Sequence, residues 1–222
     1  MRCEELNILF IDICKTAGHS IRQAFRRKYR APGNHHSVRN FTAEGCKPKD
    51  PKKIYDSTKW NATCDIVTEE DLNTYRTFSV IRNPYDRLVS LYLWGPKYRK
   101  VSFEIFMSNI KNNVYNSLNQ HHFKSQLEWI SDYNDNIKIQ KLLRFENLDE
   151  DFYNLLEEWN VPQFKLEKLN TAEERIARNP EFYAAVTYGK KRHNYRYYYN
   201  SESRKIAEEL YAKDIEYFNY EY

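Results

Sequence analysis

The sequence predicts an α/β protein built on a parallel sheet, and two segments carry most of that expectation. In each, an apolar, β-branched run enters a short polar loop and a helix-forming segment follows at once. "NILFIDI" leads through "CKTAGHS" into "IRQAFRRKY", and "RTFSVIRN" leads into "PYDRLVSLYLW". Strands that read as near-continuous apolar runs and alternate with helices are what a parallel sheet with crossover helices requires. The 222 residues suit one domain, 1–222, large enough to bury roughly 70% of the surface its unfolded chain would expose.

Taken in order, a buried strand is expected from about Asn7 to Ile13 and a helix from about Ser20 to Tyr29. "GCKPKDPKK", from Gly45 to Lys53, offers prolines and charge with nothing to pack, and reads as an exposed loop. The second strand ends at Asn83. Pro84 then stands where a helix begins, because its missing N–H and fixed φ cost nothing at the first helical position. "NIKIQKLLRF" reads as one or two short strands, and "LDEDFYNLLEEW" as an amphipathic helix closed by "NVP". Last comes "SESRKIAEELYAKDIEYF", read as one long helix with Ile206, Leu210, Tyr211, Ile215 and Phe218 at helical spacing and Ser201 as its N-cap.

Composition narrows the function classes. The balance of 35 Lys+Arg against 31 Asp+Glu, a net charge of +4, is too mild and too evenly spread for a nucleic-acid binder, and favours an anionic small ligand. Cys3, Cys14, Cys46 and Cys64 show no CxxC spacing, which fits reduced thiols better than a disulfide framework or a zinc site; no metal is expected. No run approaches the roughly 20 apolar residues of a membrane span, and the start lacks the apolar core and cleavage site of a signal peptide. The chain therefore reads as soluble and cytoplasmic. The sequons at Asn40 and Asn61 would matter only behind a leader.

In open α/β sheets ligands collect beyond the carboxyl ends of the strands, where the loop before the first helix presents N–H groups at a positive dipole end. "CKTAGHS" lies there. Gly18 would let the backbone approach an anion closely, Thr16 and Ser20 carry hydroxyl donors, and Lys15 carries a point charge. The alternative is a tight turn with a solvated lysine. Neither G-x-x-x-x-G-K-[ST] nor G-x-G-x-x-G can be written in this chain, so ordinary ATP or dinucleotide use loses ground. In "FSVIRNPYDRLVSLY" the strand delivers Arg82 to the same sheet edge, and Arg87 and Ser90 follow in the first turns of the next helix. Arginine suits bidentate phosphate binding; a surface pair of Arg82 with Asp86 is the plainer alternative.

Together these segments resemble the sulfotransferase superfamily, in its branch of carbohydrate sulfotransferases and their bacterial relatives. "DICKTAGHS" is similar to that branch's first motif and "VIRNPYDRLVSLY" to its second. "LLRFENLDEDF" and the closing "HNYRYYYNSESRKIAEELYAKDIEYFNYEY" resemble later parts of the same pattern. The resemblance implies a P-loop NTPase-like three-layer fold, a central parallel sheet flanked by helices. It also implies transfer of a sulfuryl group from 3′-phosphoadenosine 5′-phosphosulfate (PAPS) to an acceptor hydroxyl, on a carbohydrate, leaving 3′-phosphoadenosine 5′-phosphate (PAP) and needing no metal. Lys15, Thr16, Ser20 and the N–H groups of Ala17, Gly18 and His19 would hold the 5′-phosphosulfate, and Arg82 and Ser90, eight residues apart, the 3′-phosphate.

A general base near neutral pKa suits the acceptor, and histidine is the natural candidate. A family stretch similar to "GNHHSVRNF" places His36 first and His35 second. His122, in "NQHHFKSQLEWI", is the rival, with Gln126 another residue for the acceptor cleft and Glu146 a carboxylate alternative. Tyr195 and Arg196 would close over the adenine, or serve only as packing. Cys14 stands where the family carries proline and His19 where it carries Thr or Ser; neither change removes an anion-binding group. Two other readings are a small-molecule or nucleotide kinase on a similar fold, which would need ATP and Mg²⁺, and a non-catalytic nucleotide- or glycan-binding module. The oligomeric state is left open.

Overall fold

The computed structural model describes residues 1–29, 67, 69–115, 120–132, 134–168 and 194–222. Along these the chain runs β1 (Arg2–Cys3), β2 (Ile8–Ile11), α1 (Gly18–Tyr29), α2 (Glu69–Thr74), β3 (Arg76–Ile81), α3 (Pro84–Trp94), α4 (Phe103–Lys111), α5 (Gln120–Phe123), α6 (Gln126–Ile130), β4 (Lys141–Arg144), α7 (Leu148–Glu158), α8 (Ser201–Leu210) and α9 (Ala212–Tyr217). They fall into two units, Met1–Arg82 with Lys124–Glu167, and Asn83–Phe123 with Lys168–Tyr222. The expected loop from Gly45 to Lys53, and His35 and His36, lie outside the described residues.

The first unit holds the sheet, in the order β1-β2-β3-β4. β2 pairs parallel with β3, Ile8 opposite Arg76 and Ile11 opposite Ser79, and β3 pairs parallel with β4, Phe78 opposite Lys141 and Ile81 opposite Arg144. The parallel α/β expectation is met, with one addition: β1 joins the edge antiparallel, Cys3 opposite Ile8. Alternation along the strands turns Ile8, Phe10, Phe78, Val80 and Leu143 into one core with Ile21 and Phe25 of α1 and Phe152, Leu155 and Leu156 of α7. Phe25 lies at its centre, its ring 6.1 Å from Phe152 and 6.2 Å from Phe78. Leu9, Ile11, Thr77 and Ser79, on the alternate positions, are equally buried, which is why β2 and β3 read as unbroken rather than alternating runs.

The second unit has its own core, from Tyr85, Leu88, Leu91 and Tyr92 of α3, Phe103, Phe106, Met107 and Ile110 of α4, and Ile206 and Ala207 of α8. α3 begins at Pro84 as expected, capped by Asn83, whose side chain accepts from the Tyr85 N–H at 3.0 Å. Ser102 caps α4 in the same way. Among the described residues no helix is long and apolar enough to cross a membrane.

Several boundaries differ from the sequence expectation for local reasons. α1 starts at Gly18 rather than Ser20, and β3 stops at Ile81 rather than Asn83. "NIKIQKLLRF" yields one strand, β4, with a lone bridge between Ser131 and Ile137 before it. The terminal helix is two helices. Tyr211 leaves helical geometry (φ −120°, ψ 24°) with its ring buried and its hydroxyl donating to the Phe123 carbonyl at 2.8 Å, so a tertiary contact interrupts a continuous apolar stripe. The cap of α8 is Asn200, not Ser201. Its side chain accepts from the Ser203 N–H at 2.8 Å while Ser203 Oγ accepts from the Asn200 N–H at 3.0 Å, a reciprocal capping box.

Candidate functional site

β2 delivers the chain into the loop Asp12–Ala17 at the carboxyl edge of the sheet. Lys15 (φ 73°) and Ala17 (φ 70°) both lie in the left-handed region, although neither is glycine. For such residues that conformation costs on the order of 1–2 kcal/mol each, and it persists only where surrounding contacts enforce it. Left-handed residues alternating with others also form the backbone curl that gathers successive N–H groups into anion-binding concavities. α1 begins directly after the loop. Its first turn holds no acidic residue and its last turn carries Arg26, Arg27 and Lys28, so its dipole favours an anion at Gly18.

The loop is braced from within. Thr16 is fully buried and its hydroxyl donates to the Ile13 carbonyl at 2.9 Å, which commits the hydroxyl proton to the turn. Lys15 and Ala17 are half-buried, Ser20 is buried and His19 is exposed. Cys14 is buried on the protein side, as a packing residue would be.

Behind the loop sits a pair the sequence reading did not single out. Asp12, 1% exposed, forms an ion pair with Arg22 of α1. Burial lowers the Arg22 pKa to about 10, with the charge of Arg26 adding to the shift, and the guanidinium stays protonated at neutral pH. A carboxylate inside an apolar run was the available signal, because a buried charge demands a partner. Asp12 also explains the glycine at 18: a Cβ there would collide with its carboxylate. The sequence reading gave Gly18 the task of admitting an anion; the close neighbour found there is Asp12. Gly18→Ala is expected to destabilise the protein by about 1–3 kcal/mol, the usual range for overpacking. Denaturant titration measures this, and an unchanged midpoint would contradict the steric account.

Since β3 lies parallel to β2, its exit leaves Arg82 at the same edge. Arg82 Nη1 donates to the Lys15 carbonyl at 3.0 Å, and the guanidinium lies 3.9 Å from the centre of the Phe145 ring, just beyond β4. Three adjacent parallel strands thus bring the loop, a cation and an aromatic face to one place. Gln126, expected near an acceptor, is fully buried with its amide committed to the main chain of Arg82.

The remaining candidates belong to the second unit. Ser90 is half-buried on α3. Arg87, read as a possible anion ligand, is 1% exposed and donates from Nη2 to the His122 carbonyl at 3.0 Å. His122 itself is 6% exposed, its ring edge-on to Trp94 with centroids 4.9 Å apart. Tyr195 stacks on Tyr85 at 6.2 Å, and Arg196 lies 5.0 Å from the centre of the Tyr195 ring while donating to the Tyr222 main-chain oxygen at 2.6 Å. Among the described residues no group of His, Cys, Asp and Glu is arranged to hold a metal.

Compared with known proteins, the chain matches one family model, that of the sulfotransferase family, over residues 1–221. No curated protein and no solved structure matches it.

Proposed function

The chain belongs to the sulfotransferase family, and from that premise we propose that it moves the sulfuryl group of PAPS to an acceptor hydroxyl carried by a carbohydrate. The observation that carries the donor half of this reading is the Lys15–Gly18 loop, held in two left-handed turns and tied to Arg82, before a helix whose positive end faces it. Such a cradle suits the 5′-phosphosulfate, through Lys15, Ser20 and the N–H groups of Ala17, Gly18 and His19, with Thr16 shaping the turn. Arg82 and Ser90 take the 3′-phosphate, and Tyr195 and Arg196 the adenine, on the strength of the family motifs.

In the proposed reaction the acceptor oxygen attacks sulfur in line. A new S–O bond forms, the bond from sulfur to the 5′-phosphate oxygen breaks, and PAP departs with the added negative charge. By analogy with phosphoryl transfer the work is positioning and electrostatics, and the ammonium of Lys15 meets the charge that develops on the departing oxygen. The acceptor proton passes to a base, for which His36 is the first choice, His35 the second and His122 the third; the burial of His122 against Trp94 favours the first two.

Calorimetric titration with PAP, and separately with ATP plus Mg²⁺, tests the donor assignment. PAP is expected to bind at least about a hundredfold more tightly, because a 3′-phosphate gains charge-assisted contacts that ATP lacks. Tighter binding of ATP would overturn the proposal and favour a kinase.

A further inference from the structure

Gln126 opens α6, and Ser125, its N-cap, fixes it there by accepting from the Glu128 N–H at 3.2 Å. Its side chain is completely buried. The amide is used at both ends on one residue: the Arg82 N–H donates to Gln126 Oε1 at 2.8 Å, and Gln126 Nε2 donates to the Arg82 carbonyl at 2.7 Å. β3 ends at Ile81, so Arg82 is the first residue beyond the strand. A side-chain amide has the same donor and acceptor as a peptide group. Gln126 therefore gives the Arg82 peptide the pair of hydrogen bonds that a neighbouring strand gives inside a sheet.

We infer that Gln126 is a positioning residue for the donor site: by clamping the Arg82 peptide it holds the guanidinium on the Lys15 carbonyl, and through that bond it holds the Lys15–Gly18 loop in its left-handed turns. The chain of contacts is continuous, from the Gln126 amide to the Arg82 main chain, then from Arg82 Nη1 to Lys15 at 3.0 Å, with the Phe145 ring at 3.9 Å limiting the guanidinium from its flat face. Two strained residues need an external constraint, and this is one that reaches them. Its relevance to donor binding rests on the function proposed above, whereas its effect on the loop does not.

Hydrogen exchange in the ligand-free protein tests it. Gln126→Met keeps the size of the side chain and removes both hydrogen bonds, and is expected to speed exchange at Ile21, whose N–H donates to the loop carbonyl of Ala17 at 3.3 Å, by about tenfold or more, roughly the factor one net hydrogen bond supplies. Amides of β2 and α7 keep their rates. Gln126→Glu keeps the acceptor and loses the donor, and should fall between Gln126→Met and the native protein; it also serves if the methionine variant does not fold. Because Gln126 acts through Arg82, Gln126→Met adds nothing to exchange at Ile21 once Arg82→Ala is present. Unchanged exchange at Ile21 in both glutamine variants would overturn the inference. So would an equal increase across the whole core, or full additivity with Arg82→Ala. PAP titration of the same variants is expected to show about tenfold weaker binding. If the native protein binds no PAP the functional proposal fails, while the exchange data still decide the role of Gln126.

Discussion

Lys15→Ala is expected to lower turnover by about 10²–10³-fold while changing PAP affinity far less, the range seen when one group serving a developing charge is removed. This deletion keeps the loop's tie to the neighbouring strand. The contact that ties residue 15 to Arg82 is made by its carbonyl, which alanine keeps. The left-handed φ of 73° is disfavoured for lysine and alanine alike, so the strain is the same in both proteins. The substitution removes the ammonium group. In the proposed reaction its interaction grows as the bond to sulfur breaks and charge accumulates on the phosphate oxygen, so its loss would fall on the transition state more than on the bound donor. Initial-rate kinetics with PAPS varied, alongside PAP calorimetry, separate the two effects. A loss of PAP affinity equal to the loss of turnover would make Lys15 a plain anion ligand and refute the leaving-group role.

Arg82→Ala is expected to show the opposite balance, weakening PAP binding by about 10²-fold or more with a smaller fall in turnover, as befits loss of a charge-assisted contact to the bound nucleotide. Here the deletion also removes that tie, and that is informative. The guanidinium both braces Lys15 and lies on Phe145, so its removal loosens the loop as well as subtracting a positive charge. Arg82→Lys should recover little, because an ammonium lacks the planar face that rests on Phe145 and the fork that can serve two acceptors at once. PAP calorimetry of both variants is the measurement. Full recovery by lysine would reduce Arg82 to a point charge, and native affinity in the alanine variant would remove it from the donor site.

Much of this was readable in the residues because the relevant physics is local. The apolar run before "CKTAGHS", the proline after Asn83 and the spacing of leucines and tyrosines in "PYDRLVSLYLW" report burial and chain direction within a few residues. β2, α1, β3 and α3 follow from them, and the family follows from the order of the motifs, matched over residues 1–221. β1 escaped notice since a two-residue edge strand has no period to detect.

What the sequence determined by itself was therefore the element types at the carboxyl edge of the sheet and the family. What only the tertiary structure decided was who touches whom: that Gly18 makes room for Asp12, that Arg22 neutralises that carboxylate, that Thr16 closes a turn, that Arg87 is a core residue on the His122 carbonyl, and that the Gln126 amide clamps the Arg82 main chain. The same contacts broke the terminal helix at Tyr211, whose hydroxyl found the Phe123 carbonyl. Periodicity records that a side chain is buried; its partner is set by elements distant along the chain, and no local pattern encodes that distance.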